Sequence, residues 1–129
     1  MDMTNPAHVY LTPDLGWLAA VGACDALDTC RSYRSRMLTV HLKDYDPNLQ
    51  YELNGKPVKG AMVLPGKGAV DFPAVVDFLK ETEFEGFFLG EHNGINRVIY
   101  PPTPENPEAF EEFKAYMVGK LGLSLALKV

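Results

Sequence analysis

Three short apolar runs alternate with stretches of helical periodicity, and that alternation restricts the fold more than any single residue does. "HVYLTP" at 8–13, "MLTVHL" at 37–42 and "FEGFFLGE" at 84–91 read as strands, the first stopped by proline and the last preceded by a turn glycine. Between the first two, "DALDTCRSYRSR" at 25–36 predicts a helix that Asp25 can cap, with Leu27, Cys30 and Tyr33 or Arg34 near one face. A second helix begins after Asp71, with Pro73 in its first turn. Its Phe72, Val75, Val76 and Leu79 recur at i, i+3, i+4 and i+7. A last helix is expected over 107–121, with Phe110, Phe113, Met117 and Leu121 on one side. The stretch 44–68 reads as long and irregular, with Asn54-Gly55 marking a tight turn and a small hairpin. Pro101, Pro102, Pro104 and Pro107 make 97–107 a stiff connection.

The order strand, helix, strand, long loop, helix, strand, helix implies parallel strands joined by helical crossovers, an α/β fold in one domain over 1–129. Two architectures compete: a small open doubly wound sheet, and part of a (β/α)₈ barrel. The length of 129 residues favours the open sheet, since a full barrel takes about 250. The placement of the ionisable residues favours the barrel.

Side chains alternate across a strand, so parity assigns faces. In 37–43, Leu38, Val40 and Leu42 share one face, expected to lie against helices, and Thr39, His41 and Lys43 share the other. Tyr10, Thr12 and Asp14 share a parity that puts Asp14 just past the first strand, and Phe87, Leu89 and Glu91 end in Glu91. Each strand thus offers an ionisable group at its carboxyl end, where barrels and open α/β sheets build their sites. Asp, His and Glu together suit Mn²⁺, Mg²⁺, Co²⁺, Fe²⁺ or Zn²⁺. Taken singly, each has a plain structural reading as a helix cap, a loop group or a satisfied strand histidine. His8 sits at the wrong end of its strand, and Asp44 and Asp46 read as loop or supporting groups rather than ligands.

The net charge of −5 and the scattered lysines and arginines argue against a nucleic-acid surface. No 18-residue apolar run and no signal-like leader are present, so neither a membrane span nor secretion is expected and the location is read as cytoplasmic. Cys24 and Cys30 lack metal-knuckle spacing, and Cys30 is expected to be a small buried thiol. No phosphate-cradling glycine loop follows the first strand, which removes support for a flavodoxin-like domain.

"LTPDLGWLAAVGACDAL" (11–27), "MLTVHLKD" (37–44) and "LPGKGAVDFPAVVDFLKETEFEGFFLGE" (64–91) resemble, in order and spacing, the C-terminal half of sugar phosphate isomerase/epimerase proteins. These form the xylose isomerase-like TIM barrel superfamily, which includes inosose dehydratases and ketose 3-epimerases. The resemblance covers 8–92 and implies a half-barrel of parallel strands with alternating helices. It also implies a divalent metal held by Glu, Asp, His and Glu, of which Asp14, His41 and Glu91 match the last three. Lys43 resembles the lysine that follows the histidine near substrate, and Glu91 would double as an acid/base group. Trp17 stands where many relatives carry a histidine facing substrate, and His92 is a further substrate-contact candidate. Gly66 and Gly68 match the family's glycine turn and read equally as a tight loop.

The first Glu ligand belongs to an N-terminal half that this sequence does not contain. The expected activity is therefore sugar or polyol isomerisation, epimerisation or dehydration within a completed barrel, with a homodimer or a separate N-terminal-half subunit as partner. The alternatives are a non-catalytic assembly module and a truncated inactive relative.

Overall fold

The computed structural model describes residues 3–22, 24–90 and 107–124. Its elements are α1 (Leu15–Val21), α2 (Ala26–Tyr33), β1 (Thr39–Leu42), β2 (Asp44–Leu53), β3 (Lys56–Val63), α3 (Phe72–Glu81), β4 (Phe87–Gly90) and α4 (Pro107–Ala115). A 3₁₀ turn, Arg34–Arg36, follows α2, and a π-helical turn, Tyr116–Lys120, follows α4. The fold is α/β with a parallel strand pair, and no closed barrel is present among the described residues.

β1 and β4 pair in parallel, Thr39 against Phe87 through Leu42 against Gly90. The expected first strand is reduced to two parallel bridges on the other side of β1, Leu11 to Met37 and Asp14 to His41. Its backbone still enters the sheet: Leu11 N–H donates to the Arg36 carbonyl at 2.7 Å, and His41 N–H donates to the Pro13 carbonyl at 2.9 Å. Pro13 has no N–H of its own, which interrupts the ladder.

The core lies on one face of this sheet. Val40 and Leu42 are fully buried there, packed with Leu15, Cys30, Phe72, Val75, Val76, Leu79, Met117 and Leu121. The expected periodic face of α3 is the buried one. Burying each of its four large apolar side chains contributes roughly 1.5–3 kcal/mol, which makes α3 the anchor of the sheet. Asp71 caps α3 through its carboxylate to the Ala74 N–H, as Asp25 caps α2 through the Asp28 N–H. Cys30 is buried as expected, and burial, with Asp25 nearby, pushes its thiol up to about 11, an unreactive state.

Several expectations are corrected. Residues 44–63 form a long antiparallel hairpin rather than an irregular stretch. Asn54 and Gly55 both take positive φ, 52° and 74°, as a two-residue hairpin turn requires. The proline that disguised the strand, Pro47, falls in the register shift between Asp46 and Gln50, where no ladder donor is needed. Helix 25–36 ends at Tyr33 and continues as the 3₁₀ turn. A short helix not foreseen, α1, follows Asp14. Leu38 is 51% exposed rather than on the helix-covered face; the chain bends there before β1, and Met37 is the buried residue instead. Phe110 is likewise 46% exposed, off the buried side that Met117 and Leu121 occupy. The proline-rich segment lies outside the described residues up to its last member, Pro107, which opens α4.

Candidate functional site at the carboxyl end of the parallel strands

Asp14 stands where the 11–14 segment turns into α1. Its Oδ1 accepts the Trp17 N–H at 3.0 Å, which caps α1 and fixes the carboxylate at the end of the sheet. The Asp14–His41 bridge sets the two residues side by side on neighbouring chain segments. Lys43 follows β1 and shares the parity of His41. It is 4% exposed, and its Nζ lies 3.0 Å from Asp14 Oδ2. The same ammonium sits 6.0 Å from the centroid of the Trp17 ring, whose residue is 41% exposed. Three of the expected site residues, Asp14, Lys43 and Trp17, are therefore in one cluster, and His41 is paired beside them.

Gly16 makes this closeness possible. A Cβ there would stand 2.8 Å from the Lys43 carbonyl carbon, 2.8 Å from its Cγ and 2.9 Å from its carbonyl oxygen. Only glycine lets the first turn of α1 lie on the Lys43 main chain. On the same sheet face, the Thr12 and Thr39 hydroxyls are hydrogen-bonded at 2.7 Å, tying the 11–14 segment to β1 below the charged residues.

Asp44, fully buried, organises the loop behind the site. Its Oδ2 accepts the N–H groups of Gly66 and Gly68 at 2.9 and 2.8 Å, and its Oδ1 those of Tyr45 and Val70 at 2.9 and 3.1 Å. Burial pushes its carboxyl above the ordinary value, against the pull of the four N–H donors. The sequence reading of Asp44 as a supporting group and of Gly66 and Gly68 as a tight loop matches this geometry. That the carboxylate and the glycine loop hold each other was not foreseen, nor was the contact at Gly16. The "G-x-G-x-V" run is the signal that could have found the first, since it offers alternate backbone donors to one anion.

Among the described residues no group of three or more His, Cys, Asp or Glu could hold a metal ion. Glu91 and His92 lie outside the described residues. The Asp14 carboxylate and His41 imidazole are oxygen and nitrogen donors on paired segments, which suits a divalent cation in kind. A groove of about 610 Å³ opens at the other end of β1 and β4, lined by Arg34, Met37, Leu38, Phe84, Gly86 and Phe87 among others, and Asp14, His41 and Lys43 do not line it.

The chain is similar to proteins named inosose dehydratase. That of Clostridium tetani is 36% identical over 98 residues, covering 70% of this chain and 33% of that protein. Inosose dehydratase 1 of Bacillus cereus is 38% identical over 98 residues, with the same two shares of 70% and 33%. The inosose dehydratase of Geobacillus kaustophilus is 28% identical over 110 residues, 80% of this chain and 35% of that protein. The chain thus spans about a third of the length of the curated relatives it matches. No family model matches it. No helix among the described residues is long and apolar enough to cross a membrane.

Proposed function

We propose that this chain belongs to the xylose isomerase-like superfamily, supplies one side of an inosose dehydratase-like site and works within a larger assembly. The observation that carries the reading is the ion pair of buried Lys43 with part-buried Asp14, 3.0 Å apart beside His41, in a chain similar to inosose dehydratases. The reaction class is loss of water from a cyclic polyol ketone. A C–H next to the ketone gives up its proton to a base and the electron pair passes to the carbonyl oxygen as an enolate; the pair then returns to form a C=C bond as the hydroxyl on the next carbon leaves with a proton as water.

Each residue has a part that its place supports. The Lys43 ammonium, buried at the carboxyl end of β1, would stabilise the negative oxygen of the enolate. Trp17, half-exposed beside it, offers a flat apolar face to the C–H side of a polyol ring. Glu91 is assigned as the base from its sequence position directly after β4. A divalent cation held by Asp14, His41 and Glu91 would polarise the substrate ketone as a Lewis acid. Returning the proton to the opposite face of the same enolate would give epimerisation, the neighbouring activity that this chemistry allows.

The test is cation uptake. Calorimetric titration of the full chain with Mn²⁺ is expected to show binding, and His41→Ala and Glu91→Gln are each expected to abolish it while the circular dichroism spectrum is kept. Unchanged affinity in both variants would refute the assignment.

Assembly is the second part of the proposal. On the sheet face opposite the core, Phe87 is 69% and Leu89 43% exposed, next to Thr39 and His41. Covering two such side chains would contribute roughly 1.5–3 kcal/mol each, and the relatives carry about twice the matched length in further chain. A second polypeptide that matches this remainder is the proposed cover, and a second copy of the chain would be a substitute for it. Sedimentation velocity of the isolated chain is expected to show at least a dimer at micromolar concentration. A monomer throughout would mean that this face needs no cover.

A further inference from the structure

Asp14 already holds a cation of its own. Its Oδ1 is engaged by the Trp17 N–H and its Oδ2 by the Lys43 ammonium, both at 3.0 Å. A carboxylate oxygen bound to a divalent ion sits about 2.0–2.2 Å from it. An ammonium left 3.0 Å from that same oxygen would face the ion at close range, and two positive charges so near repel each other. We propose that Lys43 is a latch on the cation site: its ammonium holds the place of the ion at Asp14, and must swing away for the ion to enter. This rests on the cation reading above and adds a property of the chain itself, a competition between an internal and an external cation for one carboxylate.

The Lys43 stem favours a swing over a collapse. A Cβ on Gly16 would meet the Lys43 carbonyl group and Cγ at 2.8–2.9 Å, so α1 lies close on the main chain and the base of the side chain, and the swing falls to the outer part. Trp17 is the natural landmark, because the ammonium lies 6.0 Å over its ring and the chain has one tryptophan. A cation that displaces Lys43 therefore changes the charge beside the sole indole. Under the latch, the apparent affinity of the ion is lowered by the fraction of molecules whose latch is closed.

The experiment titrates Mg²⁺ and Mn²⁺ into the full chain and into Lys43→Met, which keeps side-chain bulk without charge, and into Lys43→Arg, which keeps the charge. Calorimetry reads the affinity for both ions. Tryptophan emission is read with Mg²⁺, which does not quench it. Thermal melting confirms that each variant is folded. Lys43→Met is expected to bind Mn²⁺ about tenfold or more tightly than the parent, with Lys43→Arg no tighter than the parent. Mg²⁺ is expected to shift the emission of the parent and to leave that of Lys43→Met nearly still. Equal Mn²⁺ affinity in parent and Lys43→Met would overturn the latch while leaving the cation site standing. Absence of binding in every variant would remove the cation reading and the latch together.

Discussion

Asp44→Ala is expected to destabilise the chain by about 3 kcal/mol or more and to lower its melting temperature by about 10 °C. Four backbone N–H groups converge on this carboxylate, two on each oxygen. A hydrogen bond to a charged acceptor contributes about 1.5–3 kcal/mol, so a plain sum would be larger. Two facts reduce it. Gly66 and Gly68 are exposed, so water can reach their amides once the carboxylate is gone. Burial also pushes the carboxyl above its ordinary value, so part of the gain from the four donors is offset by desolvation in the parent.

Asp44→Asn separates shape from charge. Its amide keeps one accepting oxygen and turns an NH₂ toward the other pair of donors, so an intermediate loss is expected. Hydrogen exchange at Gly66, Gly68 and Val70 should quicken in both variants. A melting temperature for Asp44→Ala within a degree or two of the parent would mean that the 64–70 loop is held by its packing alone.

The elements that could be read from the sequence were those whose signal is local. Phe72, Val75, Val76 and Leu79 carry a helical period that no other structure satisfies, and all four are buried. Asp25 and Asp71 were legible as caps because a cap is a contact three residues long. The parity argument placed Asp14, His41 and Lys43 together because strand alternation survives even where the ladder shrinks to isolated bridges. The hairpin at 44–63 was underestimated for the opposite reason. Pro47, the charges of its outer half and Gly60 dilute the strand pattern, and pairing between the two arms makes up for what each lacks alone. Trp17 was singled out by the resemblance, and its ring does lie beside the Lys43 ammonium. Its use of its own N–H to fix Asp14 follows from α1, which the residues 15–21 did not announce.

Gly16→Val is expected to cost about 3 kcal/mol and to break the Lys43–Asp14 contact. The sign is set by weighing two opposed effects. Replacing a helical glycine gains up to about 1 kcal/mol of backbone propensity for alanine, and less for a β-branched residue. Against it stands a Cβ 2.8 Å from the carbonyl carbon of Lys43, an atom of main chain that cannot turn aside. Alanine already meets that clash, so it too should lose stability, with propensity returning up to about 1 kcal/mol of the loss. Valine forfeits most of that gain and adds two methyl groups to the same clash. The relief open to the chain is to lift α1 from the end of β1, and α1 carries Trp17 and is capped by Asp14. Loss of stability should therefore come with a changed Trp17 emission even well below the melting temperature, as the indole leaves the Lys43 ammonium. A Gly16→Val chain as stable as the parent, with the parent's emission, would show that α1 has room to move, and the tight seat of Lys43 beneath it would have to be abandoned.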